Sequence, residues 1–445
     1  MAIKSFPLVL FRCVALLSAL LFAQAAQAIL PIEHWRTANG AKVYFVANRG
    51  LPMVDVSVEF PAGSAFDLPS KPGVAALTNS LMRLGAQGLA EDEIERRLAD
   101  IGAVLNNRFD SDRNGLTLRT LSDPRWRDEA LQLMTRILAA PDYPQPVFER
   151  ERSRLLAGLK ESERLPATQA SREFQRAVFG DHPYGRRAYE IEALDRITRD
   201  DLVAFHRNFF VADRAVVAIM GDVTRAQAEA IAEQLTRGLP RGKGSAALPD
   251  PAPLMKGIER FVPHPASQSH IYVGAPGIKR SDPDFFAIFV GNHILGGGGF
   301  VSRITEEVRQ KRGLAYSAYS TFSPTLSAGP FTIGMQTQRD QAQEALAVVR
   351  KTLREFVANG PTEKELTAAK QNIIGGFPMR IDSNRKIHDY LGMIGFYDLP
   401  LNYLETFVPQ VQRLTVAEVK AAFARRIDPE RMVTVVVATD DATAP

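Results

Sequence analysis

The sequence predicts an α+β protein made of two homologous modules. Each module is expected to be a mainly antiparallel sheet with helices packed on one face, and a Pro/Gly-rich linker joins the two. Two observations support this prediction: strand and helix periodicities are mixed along both halves of the 445-residue chain, and the halves share residues at nearly constant offsets.

The duplication is visible as a repeated spacing. An offset of 217 residues aligns 196–202 (RITRDDL) with 413–419 (RLTVAEV). An offset of 215 residues aligns 129–131 with 344–346, which read Glu-Ala-Leu in both places. Because two nearly equal offsets recur at separate places, duplication of one module is the simplest explanation.

The first segment, residues 1–28, has the features of a secretory signal peptide. Lys4 and Arg12 precede a short apolar run, and Ala26-Gln27-Ala28 supplies the small residues of a cleavage site. The run is shorter than the ~20 apolar residues of a membrane span, so a retained anchor is the weaker alternative. The only cysteine, Cys13, lies here, which excludes disulfides after cleavage. We expect a periplasmic protein without a stable membrane anchor.

Residues 29–239 form the predicted N-terminal module. Asn39-Gly40 is a strong hairpin signal, and 54–60 alternates apolar and polar residues as a half-buried strand does. Apolar residues at helical spacing predict helices over 90–101 and 128–138.

The remaining segments complete the predicted organisation. Residues 240–256 are rich in proline, glycine and alanine and predict the linker, and 257–445 form the predicted C-terminal module. Lysine and arginine number 54 and aspartate and glutamate 50, and the two signs are interleaved along the chain. This pattern gives no indication of a nucleic-acid surface.

One short helix has the spacing of a zinc site without its chemistry. Ala76, Asn79 and Ser80 stand at i, i+3 and i+4, so they share one helix face. In an inverted H-x-x-E-H motif these positions hold two zinc-binding histidines and a general base. Alanine, asparagine and serine supply none of that chemistry, and the segment alone also fits an ordinary helix start after Pro72-Gly73.

Other segments of the chain indicate that the spacing of Ala76, Asn79 and Ser80 is that of a degenerate zinc motif. Residues 268–274 (QSHIYVG), 294–303 (ILGGGGFVSR) and 307–317 (EVRQKRGLAYS) together resemble the C-terminal half of pitrilysin-family (inverzincin) zinc peptidases, the group that includes the mitochondrial processing peptidase. Residues 72–75 resemble the lead-in to the zinc helix of that family, and 148–159 resemble the helix with its third zinc ligand.

The resemblance implies that this chain has lost zinc and kept its substrate contacts. Ala76 and Ser80 stand where the family has ligand histidines, Asn79 where it has the base, and Gly158 where it has the third ligand. Arg309 and Tyr316 match an arginine and tyrosine that contact substrate. Taken alone, Arg309 near the helix end at Gly313 and Tyr316 at a strand start would also fit purely structural roles.

Three further groups of residues are candidates for binding. Gly296, Gly297, Gly298 and Gly299 resemble the glycine-rich loop of the family, with substrate or partner contact and a merely tight turn as open alternatives. Asn106 and Asn107 lie in a segment resembling the strand that pairs with extended peptide. The spacing of His264 and His270 does not place them on one helix face, so no metal site is expected in this chain.

The resemblance, with its zinc ligands missing and its Arg/Tyr pair kept, implies a non-catalytic subunit of a heterodimeric zinc metalloendopeptidase. Its partner would be an active H-x-x-E-H subunit that holds the zinc, its substrate a peptide or unfolded protein, and its contribution Arg309 and Tyr316. No cofactor is expected in this chain. The alternative is a stand-alone pseudo-peptidase that acts as a periplasmic peptide-binding or assembly protein.

Overall fold

The computed structural model describes residues 31–186, 189–242 and 247–439. The predicted signal peptide at 1–28, with Cys13, lies outside the described residues. Within these three ranges, none of the helices combines the length and the apolar character that crossing a membrane requires.

Strands and helices are interspersed in the first half of the chain. Its strands are β1 Glu33–Arg36, β2 Lys42–Ala47, β3 Met53–Pro61, β4 Gly85–Ala86, β5 Leu89–Ala90, β6 Val104–Phe109, β7 Arg113–Leu121 and β8 Val216–Gly221. Its helices are α1 Val74–Leu81, α2 Glu91–Asp100, α3 Pro124–Ala139, α4 Gln145–Ser162, α5 Pro166–Phe179, α6 Ile191–Leu194, α7 Arg199–Phe209 and α8 Arg225–Thr236.

The second half repeats the mixture. Its strands are β9 Ile258–Pro263, β10 Gln268–Pro276, β11 Ala315–Phe322, β12 Pro330–Gln338 and β13 Val433–Ala438. Its helices are α9 Phe285–Asn292, α10 Arg303–Thr305, α11 Ala342–Asn359, α12 Glu363–Gly376, α13 Asn384–Phe396, α14 Tyr403–Arg413 and α15 Val416–Arg426. The segment from 237 to 257 has no helix or strand in its described part.

The two halves form two sheets with the same strand order. The first runs β1-β2-β8-β3-β7-β6 and the second β11-β12-β10-β13-β9. If β2, β3, β6, β7 and β8 are matched in chain order with β9, β10, β11, β12 and β13, the two orders coincide. The pair β2–β8 in the first sheet and the matching pair β9–β13 in the second are parallel. The other matched pairs are antiparallel in both sheets. The predicted duplicated α+β fold is confirmed.

The strand predictions also hold locally. The Asn39-Gly40 turn connects β1 to β2, with Gly40 at φ 101°, and the two strands pair antiparallel from Arg36 opposite Lys42. The alternating segment 54–60 lies within β3, which is flanked by β7 and β8. The predicted helices at 90–101 and 128–138 correspond to α2 and to part of α3.

Each sheet has one face covered by helices of its own module and the other by a helix of the other module. Val43 and Phe45 of β2 point into a core shared with α1 and α3. Tyr44 and Val46 point the opposite way, into the core of the second half, where α13 contacts β2, β3 and β8. In the same manner α5 of the first module packs on β10 and β13 of the second, with the Phe174 ring centroid 5.5 Å from that of Tyr272.

A buried carboxylate ties the modules together. Asp112, in the turn between β6 and β7, accepts hydrogen bonds from the hydroxyls of Tyr184 (2.6 Å) and Tyr397 (3.0 Å) and from the backbone N–H of Leu326 (2.8 Å). Burial raises the pKa of Asp112, while these hydrogen bonds act in the opposite direction. Since Tyr397 and Leu326 belong to the second module, this carboxylate fixes the position of the β6–β7 turn against it.

Candidate functional site

The helix with the degenerate zinc spacing, α1, has a specific anchor at its start. Gly73 has φ 111°, and both oxygens of the buried Asp67 carboxylate accept hydrogen bonds, from the backbone N–H groups of Gly73 (2.8 Å) and Ala75 (2.7 Å). Burial raises the pKa of Asp67 to about 7 despite these bonds. The first free N–H groups of the helix are therefore satisfied by a side chain from outside it.

At the position of the missing general base, Asn79 makes hydrogen bonds that hold its helix in place. Its buried amide donates to the Asn114 side chain (2.7 Å) and to the carbonyls of Arg108 and Gly115 (both 3.1 Å). The Asn107 side chain in turn donates to the Asn79 carbonyl. These bonds fix α1 against strands β6 and β7.

The other degenerate positions contain no metal ligand. Ala76 is buried, and the exposed Ser80 donates to the Leu77 carbonyl of its own helix (3.2 Å). Gly158 on α4 is exposed, and a Cβ placed there would have no neighbour within 4 Å. Glu151, one heptad before it, pairs with Arg150 at 2.8 Å.

The residues present do not fit a zinc ion. Zinc sites in proteins use histidine, cysteine or carboxylate ligands, and none of these occupies the three ligand positions on α1 and α4. Among the described residues, no group of three or more such side chains is arranged to hold a metal.

The second module brings Arg309 and Tyr316 together. Arg309 lies in a π-helical turn, 306–310, that continues α10, and Gly313 at φ 64° ends this helical segment, as the sequence predicts. The Arg309 guanidinium carbon is 4.6 Å from the centroid of the Tyr316 ring and 4.7 Å from that of Phe300. The cation is thus held between two aromatic faces.

The guanidinium of Arg309 remains available for a ligand. Within the part of the chain that the structure describes, its N–H donors have no hydrogen-bond or salt-bridge partner. Phe300 is 63% exposed and Tyr316 82% exposed. Stacking therefore orients the cation without using its donors.

A register shift points Tyr316 outward. Strand β11 is an edge of its sheet, and its pairing with β12 shifts between Ala315 and Ser317, as in a β-bulge with Tyr316 as the extra residue. Bulges of this kind redirect a side chain, and here Tyr316 and Ser317 are both exposed where strict alternation would bury one of them.

The glycine run is needed for close packing, and it lies beside this pair. A Cβ on Gly296 would come within 2.4 Å of the Ser320 backbone nitrogen, and Cβ atoms on Gly297 and Gly298 would collide with Asn292 and His293. Gly299 has φ 65°. Gly296 and Gly297 end a π-helical turn, 293–297, that follows α9. Close packing therefore accounts for Gly296, Gly297 and Gly298, while contact with substrate stays a prediction.

The same region contains residues that the sequence motifs did not single out. Phe300 follows the glycines directly, and its carbonyl accepts a bond from Gln310 Nε2 (2.6 Å), which ties the glycine loop to the Arg309 turn. Asn292 and Ser320 exchange two hydrogen bonds, at 2.7 and 3.1 Å. An apolar side chain directly after a run of four glycines is the sequence signal that could have indicated Phe300.

These residues line an open cleft along β11. Its volume is about 440 Å³, and its walls include the glycine loop, Phe300, Arg309 and the strand from Tyr316 to Thr321. At the corresponding edge of the first sheet lies β6, beside α1. Each module thus presents an edge strand, and an exposed edge can pair with an extended peptide.

A duplicated α+β fold, a helix with zinc-site spacing but no ligands, and an arginine–tyrosine pair on the second edge define a zinc-peptidase-like protein. The model of the insulinase family (peptidase family M16) matches residues 42–190, and that of the peptidase M16 inactive domain matches residues 196–373. The chain belongs to peptidase family M16.

Individual relatives agree with this assignment. A solved structure titled as a peptidase M16 inactive domain from Pseudomonas fluorescens is 39% identical, with a TM-score of 0.90 over 94% of this chain and 100% of that one. A Helicobacter pylori protein named non-peptidase homolog YmxG is 28% identical over 393 residues, 86% of this chain and 88% of its own length. A Helicobacter pylori protease structure, 18% identical with a TM-score of 0.83, covers 92% of this chain and 100% of its own and shares the fold.

Proposed function

We propose that this chain is the non-catalytic subunit of a heterodimeric zinc metalloendopeptidase. An active H-x-x-E-H subunit holds the zinc, and this chain presents Arg309 and Tyr316 to the peptide bound there. One observation supports the proposal most directly: among the described residues the donors of Arg309 have no partner, and Tyr316 points outward beside them. A pure scaffold has no chemical need for such a pair.

The pair has a clear chemical use. Arginine and tyrosine both donate hydrogen bonds, and donors fixed in advance near a scissile carbonyl stabilise the oxyanion that forms on attack. Stacking between Phe300 and Tyr316 limits the rotation of the Arg309 guanidinium. Less conformational entropy is then lost when the guanidinium engages the peptide.

The substrate class follows from the edge strands. A peptide that pairs with a strand edge must be extended, so the ligand is a flexible peptide or an unfolded protein segment. The bulge at Tyr316 interrupts regular pairing of β11 with β12. It places the phenol where it can reach a peptide lying along the cleft.

The proposed compartment is the periplasm. It rests on the signal-like features of residues 1–28 and on the lack of cysteine after Cys13.

The test is the turnover of the reconstituted heterodimer. We expect Arg309→Ala and Tyr316→Phe to lower kcat by ~10²–10³, the usual effect of removing one oxyanion donor. Assembly and melting temperature should hardly change, because both side chains face the open cleft. Arg312→Ala is a matched control: Arg312 lies three residues from Arg309 and pairs only with Glu307.

Two other outcomes of this experiment would count against the proposal. If both variants keep a kcat near that of the wild type, Arg309 and Tyr316 have no catalytic role and the proposal is wrong. If the chain binds peptides by itself and no M16 partner gains activity from it, the stand-alone peptide-binding or assembly protein becomes the better account.

A further inference from the structure

A second and larger cavity lies between the modules. Its volume is about 780 Å³, within the range of ~300–1,000 Å³ typical of ligand pockets. It is lined by the β6–β7 turn of the first module and by α9, α13, α14 and the segment after β11 of the second. None of the zinc-helix positions and neither Arg309 nor Tyr316 lines it.

The cavity contains cations without carboxylate partners. Arg280 and Arg380 line it, and among the described residues neither guanidinium is paired with an acid. The Arg280 Nε is buried and has no hydrogen-bond acceptor. Buried donors without acceptors are uncommon in folded proteins and indicate that a ligand or water completes the site.

The neighbouring charged side chains do not neutralise the positive charge of these two arginines. Arg113 is already paired with Asp110 (2.8 Å), and Lys386 with Asp382 (2.9 Å), which does not line the cavity. Of the two lining carboxylates, Asp110 is the one paired with Arg113, and Asp389 has no ion pair among the described residues, against the two free arginines. The local charge balance in the cavity therefore favours the binding of an anion.

Aromatic rings surround the free cation. The guanidinium carbon of Arg280 is 5.4 Å from the Phe285 ring centroid and 5.6 Å from that of Tyr397. Tyr403 also lines the cavity; burial raises its pKa to about 12, and nearby Arg280 and Arg380 act in the opposite direction. Tyr403 is therefore a neutral hydroxyl near the two cations. A site of this composition suits an anionic group next to an apolar side chain.

The cavity adjoins the cleft along β11. Asn292 lines both spaces, and while Tyr316 to Thr321 line the cleft, the next residue of the strand, Phe322, lines the cavity. An extended chain paired with the β11 edge would pass from the Arg309 end of the strand into this cavity.

We propose that the inter-module cavity binds a carboxylate of the peptide that lies along β11, with Arg280 as its ion-pair partner. The inference rests on the proposed function in taking the ligand to be a peptide. The carboxylate is the C-terminus of that peptide or the side chain of an aspartate or glutamate within it. Arginine suits this role because its planar guanidinium binds a carboxylate through two parallel hydrogen bonds.

The experiment compares three forms of one probe by fluorescence anisotropy. The probe is a fluorescein-labelled nine-residue peptide rich in valine and threonine that ends in phenylalanine: as the free acid, as the C-terminal amide, and as the amide with a penultimate glutamate. We expect one or both carboxylate forms to bind about 10- to 100-fold more tightly than the plain amide, the usual contribution of a charge-assisted bond. The tighter form identifies the source of the carboxylate.

Two variants test whether the preference for the carboxylate form depends on Arg280. Arg280→Gln should remove the preference for the carboxylate form, and Arg260→Gln, an exposed arginine on β9, should keep it. Equal binding of all three probes by the wild type, or no binding, would overturn the inference even if Arg280→Gln failed to fold. A preference that survives in folded Arg280→Gln would overturn it as well. An intact preference combined with unchanged kcat in Arg309→Ala would refute the proposed function alone.

Discussion

At the residue scale, the positions that have lost zinc chemistry have taken on different structural roles. Asn79 is buried and hydrogen-bonded to three acceptors on β6 and β7, whereas Ser80, one residue later, is exposed. Gly158 lies in open space. The four positions therefore differ in kind: Ala76 and Asn79 are buried, and Ser80 and Gly158 are exposed.

This difference leads to a stability prediction. Asn79→Ala should lower the free energy of unfolding by about 1–3 kcal/mol, because it leaves buried acceptors such as Asn114 Oδ1 without their donor. Ser80→Ala, the matched control on the same helix face, should change it by no more than about 0.5 kcal/mol. Urea unfolding followed by circular dichroism measures both. Equal effects of the two substitutions would show that the Asn79 bonds contribute little.

At the second site, the sequence singled out the arginine–tyrosine pair but not the features around it. The motif singled out Arg309 and Tyr316, and the structure brings them within stacking distance. Phe300 and the bulge at Tyr316 were not predicted, because a bulge depends on how β11 pairs with β12, and pairing register is a tertiary property.

At the element scale, the repeat offset predicted element bounds closely. Adding the offset of 217 to α7 (Arg199–Phe209) gives α15 (Val416–Arg426), and adding it to β8 gives β13. The exchange of α5 and α13 between modules could not be predicted in this way. An amphipathic pattern shows that a helix has a face to bury, but it does not indicate which sheet receives that face.

The exchanged helix α13 depends on glycine for close approach to the first sheet. A Cβ on Gly395 would lie 2.6 Å from two ring carbons of Tyr44 and 2.7 Å from Val216 Cγ1. On α12, a Cβ on Gly375 would have no neighbour within 4 Å. The two positions therefore form a matched pair, one at the junction between modules and one on an open helix surface.

We expect Gly395→Ala to be less stable than Gly375→Ala by about 1–3 kcal/mol, the usual cost of overpacking. Alanine improves helix propensity at both positions, so that gain largely cancels in the comparison. Thermal unfolding of the two variants measures the difference. If Gly395→Ala proved as stable as Gly375→Ala, α13 would be packed less tightly on the first sheet than the distances imply.

At the scale of the whole molecule, duplication gives the chain two related edge strands with different neighbours. Strand β6 lies beside the degenerate zinc helix, and β11 lies beside Arg309. The sequence predicted the two modules. It did not predict the cavity between them, because its walls come from segments as distant as Arg108 and Tyr403, which only the folded chain brings together.

In the proposed account, this arrangement lets a chain without zinc ligands take part in catalysis. The first module has kept the fold of a zinc module with structural side chains in place of ligands. The second has kept donors that have no partner within the described chain. In the account proposed here, these donors act on a peptide held at the zinc site of another subunit.

The most direct test is a titration of this chain into a fixed amount of an exported, zinc-loaded H-x-x-E-H subunit, with peptide hydrolysis as the readout. The account predicts negligible hydrolysis by either chain alone and a rate that rises to a plateau when the two are equimolar. Full activity of the H-x-x-E-H subunit alone, unchanged by any amount of this chain, would contradict it, as would chelator-sensitive hydrolysis by this chain alone.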